Sequence, residues 1–139
     1  MTIGAISSGA SAVSAGLWWS ALSASNVARA GAASALEDEA PAVARVQFAE
    51  RPGGGVTATS TSERGDSGEA RDTLKVHEPD NPLADARGYV QRPGIQTPGE
   101  LAEMLIASAF VAANLVTVRT ASEAYRSAAK LGVEKTERS

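Results

Sequence analysis

The residues that could carry metal or cofactor chemistry are few in this chain. His77 is its one histidine, and cysteine is absent. A metal site at His77 would need carboxylates as its other ligands, and none lies at a recognised ligand spacing around it. The alternation of Leu74 and Val76 with Lys75 and His77 favours a solvated strand edge instead. We therefore expect no metal site and no cofactor.

Two aspartates and two short motifs are the remaining candidates for activity. Asp80 and Asp85 flank a proline-rich bend and could act as an acid and base pair in a small hydrolase, although aspartate beside proline is also an ordinary turn residue. The three glycines at 53–55 lack the lysine and hydroxyl residue of a phosphate-binding loop, so they predict a turn. The Arg-Gly-Asp tripeptide at 64–66 matches an adhesion motif, but such a tripeptide recurs readily by chance in a polar loop. The structural interpretations are favoured, and no enzyme is predicted.

Composition limits the class of protein. The 139 residues suffice for one modest core, but alanine inflates the apolar fraction of 43%, and aromatic residues supply 4%, so we expect a thin core. A net charge of -3 with scattered basic residues argues against nucleic acid as a partner, and no small-molecule substrate is indicated.

Residues 1–28 carry no lysine or arginine, and glycine and serine interrupt their apolar runs, so no cleaved signal peptide is expected.

A helix is predicted within the apolar segment 3–33, because apolar and small residues recur there at alternating steps of three and four. Gly31 predicts its end. Trp18 and Trp19 point about 100° apart on such a helix, so at least one must leave the seam. That tryptophan either packs on the middle of its own chain or anchors a subunit interface. The seam consists of Ile6, Ala10, Val13, Leu17, Ser20, Ala24, Val27 and Gly31.

A second helix is predicted at residues 98–132. Thr97-Pro98-Gly99-Glu100 is typical of a helix start with a capping box, and Gly132 predicts the stop. The helix is apolar over a wide arc between Glu103 and Arg119, more than one short partner covers, so additional chains are implied. Its longest uncharged run, 104–118, is about 15 residues against the roughly 20 that span a bilayer. No membrane span is predicted.

The middle of the chain predicts two or three short strands, from runs at 44–50, 56–61 and 74–77, with a turn at 52–55 and a flexible loop at 62–72. The four prolines between 79 and 98 predict a nearly rigid strap. The predicted segments of one assembly domain are 1–36 (N-terminal helix), 37–78 (middle region), 79–97 (strap), 98–132 (C-terminal helix) and 133–139 (flexible tail). The predicted fold class is mainly α, with the long terminal helices paired as an antiparallel coiled coil beside a small, irregular, β-containing middle.

Residues 25–30, Ser-Asn-Val-Ala-Arg-Ala, resemble the end of the N-terminal rod helix of bacterial flagellar axial proteins, with Arg29 where asparagine is usual. Residues 81–90, Asn-Pro-Leu-Ala-Asp-Ala-Arg-Gly-Tyr-Val, are similar to the strap of the FlgC family of proximal rod proteins. The later pairs 103–104 and 113–114 match the helix of that family, whereas Gly94, Ala109 and Val111 depart from it. The motif residues are Ser25, Asn26, Asn81, Pro82, Ala84, Asp85, Gly88, Tyr89, Val90 and Pro93.

The resemblance implies a non-enzymatic structural subunit of the flagellar basal-body rod that transmits torque through its terminal helices. It implies type III export without a cleaved signal peptide, a periplasmic location in the basal body, and four partners: copies of itself, other rod proteins, basal-body ring components and the export apparatus. The alternative is a small exported binding or adaptor protein that uses exposed amphipathic helices. The predicted assembly interface comprises Ile6, Val13, Leu17, Trp18, Trp19, Val27, Leu101, Met104, Leu105, Ala109, Ala112, Asn114, Val116 and Tyr125.

Overall fold

The computed structural model describes residues 2–38, 42–62 and 73–137. Its elements, in chain order, are α1 (Thr2–Arg29), β1 (Ala44–Glu50), β2 (Val56–Ser62), β3 (Thr73–His77), β4 (Tyr89–Pro93) and α2 (Thr97–Glu137). The expected loop at 62–72 lies outside the described residues except for Ser62, as does the tripeptide at 64–66.

The predicted fold class is wrong. The chain is a mixture of helix and strand, with two antiparallel sheets of two strands each rather than a coiled coil of terminal helices. The physical reason is visible on α1, where the residues at seam positions Ala10, Leu17 and Ala24 are exposed. The buried side of α1 instead carries small and polar residues, and it contacts both α2 and the β1–β2 hairpin.

The helix starts follow the sequence better than the helix ends. α2 begins at Thr97, as the capping sequence predicts, and α1 ends at Arg29, two residues before Gly31. The predicted stop at Gly132 is wrong, because α2 continues to Glu137. A glycine inside a helix costs only about 1 kcal/mol relative to alanine, so a single glycine does not by itself end one.

Both sheets are antiparallel pairs. β1 pairs with β2 from Ala44↔Ser62 to Glu50↔Val56 around the glycine turn, and β3 pairs with β4 from Thr73↔Pro93 to His77↔Tyr89. The strands predicted from alternation are confirmed as β1, β2 and β3. β4 was missed because it lies inside the proline-rich segment, which is therefore a set of turns followed by a strand.

The core is thin and partly polar. Among the described residues, the buried apolar side chains are small, and a comparable number of polar side chains is buried with them. The buried apolar residues are Ala12, Ala15, Val43, Val90 and Ala107, and the buried polar residues are Ser11, Ser23, Asn26 and Gln91. This agrees with the alanine-rich composition and leaves most large apolar side chains at the surface.

α2 also departs from the expectation that the chain lacks a possible membrane span. Over Thr97–Leu131 it is long and apolar enough to cross a bilayer by length and composition, with a mean hydropathy of 1.9 in its most apolar 18-residue window. Only 6% of that window is buried within the chain. The sequence argument counted only uncharged residues, whereas a spanning helix tolerates a charge near its end.

Candidate assembly surface

Glycines on α1 allow close contact with α2. A Cβ atom at Gly9 would lie 2.6 Å from the Val118 Cγ2 atom, and one at Gly16 would lie 2.6 Å from the Val111 Cγ2 atom. Because Gly9 meets the later part of α2 and Gly16 an earlier part, the helices run in opposite directions. The large side chains of α2 therefore fill the space next to the two glycines of α1. The large side chains of α1 itself lie elsewhere around that helix.

Asn26 links three elements at the end of α1. Its side chain is 2% exposed, and its Nδ2 atom donates to the Ala44 carbonyl (2.7 Å) and to Glu100 Oε1 (3.1 Å). Its Oδ1 atom accepts from the Ala44 backbone N–H (3.3 Å) and from Arg29 Nη2 (2.9 Å). The Asn26 amide thus fixes the start of β1 and the first turn of α2 against α1.

Arg29 and Glu100 have roles different from those their motifs imply. Arg29 stands where the resembling proteins usually have asparagine, and besides Asn26 its guanidinium donates to the Ala42 carbonyl (3.3 Å). The Glu100 carboxylate of the predicted capping box accepts from Asn26 Nδ2 of α1. Both side chains therefore stabilise the contact between elements.

The adjacent tryptophans have different surroundings. The Trp19 ring meets Phe48 of β1 edge to face at 5.6 Å, and Phe48 lies 6.2 Å from Phe110 of α2. Trp19 Nε1 also donates to Glu103 Oε2. Trp19 thus packs on the middle of its own chain, whereas Trp18 is 45% exposed. Of the two sequence interpretations, the first applies to Trp19, and the second stays open for Trp18.

The β1–β2 hairpin is held on α1 by Ser11. The Ser11 hydroxyl donates to the Ser8 carbonyl (2.8 Å) and accepts from the Val56 backbone N–H (3.1 Å). Gly55 sits over it with a φ of 95°, and a Cβ atom there would lie 2.2 Å from Ser11 Oγ. Glycine is therefore required at 55 for two reasons, its backbone conformation and the space available.

The strap motif stabilises a compact turn before β4. Asn81 Oδ1 accepts from the Leu83 backbone N–H, and Asp85 Oδ1 accepts from the Arg87 and Tyr89 backbone N–H groups. The backbone N–H of Tyr89, and after it that of Arg87, lower the pKa of the Asp85 carboxyl. Gly88 adopts a φ of 81° in the same turn. The motif residues Asn81, Asp85 and Gly88 thus have local structural roles.

An ion pair holds this turn to the sheet. Arg92 Nε lies 2.7 Å from Glu78 Oε1, and Arg92 Nη1 donates to the Gly31 carbonyl beyond α1. Asn81 Nδ2 also donates to Glu78. The hydrogen bonds from Arg92, followed by the one from Asn81, lower the pKa of the Glu78 carboxyl.

Gln91 was not identified from the sequence. It is 7% exposed, its backbone pairs with Ser34, and its Nε2 atom donates to the Ala35 and Leu36 carbonyls. Nothing in the local pattern indicates this, because the partners lie more than fifty positions earlier in the chain.

The candidates for chemistry do not come together. The His77 ring contacts Tyr89 at 5.0 Å, and Asp85 is engaged by backbone donors in its turn. No group of three or more histidine, cysteine, aspartate or glutamate side chains that could hold a metal ion occurs within residues 2–38, 42–62 and 73–137.

The predicted assembly residues fall into two sets. Those that contact other parts of the same chain or are half-buried are Ile6, Val13, Trp19, Val27, Met104 and Asn114. Those exposed at the surface are Leu17, Trp18, Leu101, Leu105, Ala109, Ala112, Val116 and Tyr125. The second set is exposed on α1 and α2, and Ile3, Ile106, Leu115 and Leu131 are further exposed apolar side chains of the same two helices.

Comparison with known proteins gives a local similarity. The chain is 44% identical over 45 residues to the flagellar basal-body rod protein FlgC of Escherichia coli O157:H7 and to that of Salmonella typhimurium. Over this stretch it is similar to flagellar rod proteins. FlgC of Yersinia enterocolitica is 42% identical over a stretch of the same length. The aligned stretch covers 32% of this chain and 34% of each relative, about a third of their length. No protein-family profile matches the chain.

Proposed function

We propose that this chain is a non-enzymatic structural subunit of the bacterial flagellar basal-body rod. The observation that carries the proposal is the similarity to FlgC over 45 residues. The exposed large apolar side chains of α1 and α2 are consistent with it, because exposed apolar patches often mark surfaces that another chain covers. In this proposal the outer sides of both helices are buried between subunits.

The finer parts of the proposal follow from the same resemblance. The chain would occupy the proximal rod in the periplasm, reach it by type III export without a cleaved signal peptide, and pack with copies of itself and other rod proteins. It would adjoin basal-body ring components and transmit torque through packed helices. The assembly contacts are assigned to the exposed set, led by Leu17 of α1 and Leu105 of α2, which are 58% and 74% exposed.

The experiment that tests this function is deletion of the gene followed by complementation. We expect loss of swimming, and restoration by the unaltered chain. Leu17→Asp and Leu105→Asp should fail to restore it although the protein accumulates, because each buries an unpaired carboxylate in the assembly at a cost of several kcal/mol. Gln47→Asp on the exposed hairpin is the matched control and should restore swimming.

The alternative is an exported binding or adaptor protein that uses the same exposed surface. The same gene deletion distinguishes this alternative from the rod subunit. Swimming cells that lack the gene would contradict the rod function and favour the alternative. Normal swimming with both leucine variants would instead show that the assembly contacts are misplaced.

A further inference from the structure

The hydrogen bonds at the two ends of the β1–β2 hairpin show which way its backbone groups point. The Ala44 N–H and C=O both bond the Asn26 side chain, so they do not bond Ser62, the residue opposite on β2. At the other end, the Val56 N–H donates to Ser11 Oγ of α1 rather than to β1. Residues that bond across an antiparallel ladder alternate with residues that do not. The even-numbered residues of β2 therefore direct their backbone N–H and C=O groups away from β1.

Three of these residues have outward backbone groups without a partner. Among the described residues, nothing bonds the N–H or C=O groups that Ala58, Ser60 and Ser62 direct away from β1; we call these three residues the β2 edge. Ser60 and Ser62 are also exposed. A strand edge with unpaired backbone groups is a template on which a further strand can form hydrogen bonds.

The other described strands have protection that β2 lacks. β4 pairs with Ser34 on the side away from β3, and β1 is bonded by Asn26 at its start. Charged side chains also protect strand edges against further pairing. β1, β3 and β4 each carry a lysine, arginine or glutamate, whereas none of the seven residues of β2 is charged. The β2 edge is therefore the described edge most open to another strand.

The geometry of the β2 edge fits a second copy of itself. A two-fold interface needs a patch that is complementary to itself. Ala58 and Ser62 lie equally far from Ser60, so an antiparallel copy centred on Ser60 pairs 60 with 60 and 58 with 62. All the outward backbone groups of the edge then find partners, and no like charges are opposed. Thr59 and Thr61 of the two copies come opposite each other, which is a favourable cross-strand pair.

Trp18 flanks the same edge. It lines a groove of about 200 Å³ together with Ala58, whereas Trp19 meets Phe48 of β1. In the two-fold arrangement, Ser62 of the second copy is level with Ala58, so the second chain passes this groove. The exposed Trp18 then lies beside the contact between copies, and tryptophan is enriched in such interfaces.

We propose that the β2 edge pairs with the β2 edge of a second copy of this chain, which joins the two hairpins into one four-stranded sheet across a two-fold axis at Ser60. The proposal rests on the hairpin's backbone geometry and does not depend on the rod function.

Opposite charges at position 60 test this register, because residue 60 of one copy faces residue 60 of the other. In sedimentation the unaltered protein should show a concentration-dependent dimer. Ser60→Lys and Ser60→Glu should each raise its Kd at least tenfold, because like charges directly opposite each other are destabilising. An equal mixture of the two variants should restore the dimer. Gln47→Lys and Gln47→Glu, exposed on β1 of the same hairpin, are the matched controls and should each leave the Kd unchanged.

Cysteine cross-linking of the full chain is the second measurement, because the natural sequence has no cysteine. Thr59→Cys of one copy faces Thr61→Cys of the other with their Cα atoms about 4.5 Å apart, within the range of a disulfide. Two copies of Thr59→Cys are two residues out of level, so their Cα atoms lie about 8 Å apart, beyond the roughly 7 Å limit. The two proteins, mixed in reduced form and then oxidised, should give mainly the mixed disulfide, and Gln47→Cys should link to neither.

Three results would each overturn the proposal. They are a protein that is monomeric at every concentration, a mixture of Ser60→Lys and Ser60→Glu that dimerises no better than either variant alone, and a Thr59→Cys protein that links to itself as readily as to Thr61→Cys. A monomeric protein whose gene deletion abolishes swimming would remove the dimer and leave the rod function intact.

Discussion

Replacing Asn26 by alanine tests whether one buried amide holds the three elements together. The change removes a donor to the Ala44 carbonyl and to Glu100, and an acceptor for the Ala44 N–H and for Arg29. An unsatisfied buried polar group costs about 1–3 kcal/mol. Arg29 is exposed, so water replaces much of what it loses, whereas the two Ala44 backbone groups face the buried Asn26 amide and both lose their partner.

We expect Asn26→Ala to lower the free energy of unfolding by about 2–4 kcal/mol, about one kcal/mol or more for each Ala44 backbone group together with the loss of packing around the amide. Urea unfolding followed by tryptophan fluorescence measures the change in unfolding free energy. Hydrogen exchange at the Ala44 amide should become faster by a factor that corresponds to at least the same free energy. Both signals come from groups that the structure places near the substitution.

Asn114→Ala provides the matched control. The Asn114 amide donates to the Phe110 carbonyl of its own helix, so its loss should cost about 1 kcal/mol or less. A change at Asn26 within about 0.5 kcal/mol of the unaltered protein, or equal to that at Asn114, would refute the role assigned to the Asn26 amide.

Two further predictions concern the hairpin and the strap. Gly55→Ala should destabilise the protein more than Gly53→Ala, because both glycines have a positive φ but, of the two, only a Cβ atom at 55 meets Ser11. Thermal unfolding of the two variants measures the difference. Equal losses of stability would mean that the contact between the hairpin and Ser11 is absent. Because the folded pKa of Glu78 lies below its ordinary 4.5, its contribution is present above that pH and is lost as the pH falls. Unfolding free energies between pH 6 and pH 3 should therefore fall less steeply in Glu78→Gln, and an unchanged slope would contradict the Arg92 pair.

Local patterns predicted the parts of the fold that depend on near neighbours. The capping sequence at Thr97 located the start of α2, and alternation located β1, β2 and β3. The arrangement of α1 could not be predicted in this way, because spacing identifies which residues share a face but not which face another element covers. Gly9 and Gly16 let α2 approach on one side, and Leu17 is exposed as a consequence.

The candidate surface could be predicted only in part for a related reason. Asn26 was noticed as a motif residue, but its partner Glu100 lies 74 positions away, so its role required the folded chain. Trp19 likewise meets β1 and α2 through contacts that no local pattern contains. By contrast, Leu105 and Val116 were identified correctly as apolar helix residues, and their exposure follows from the absence of a further element over that side of α2 in the described chain.

The most direct measurement of the central claim is electron microscopy of basal bodies purified from cells with and without this gene, combined with mass spectrometry of the same preparations. If the chain is a rod subunit, it should be present in the unaltered basal bodies, and the rods should be missing or truncated in the deletion strain. Complete rods in the absence of the gene, or basal bodies that never contain this chain, would contradict the account.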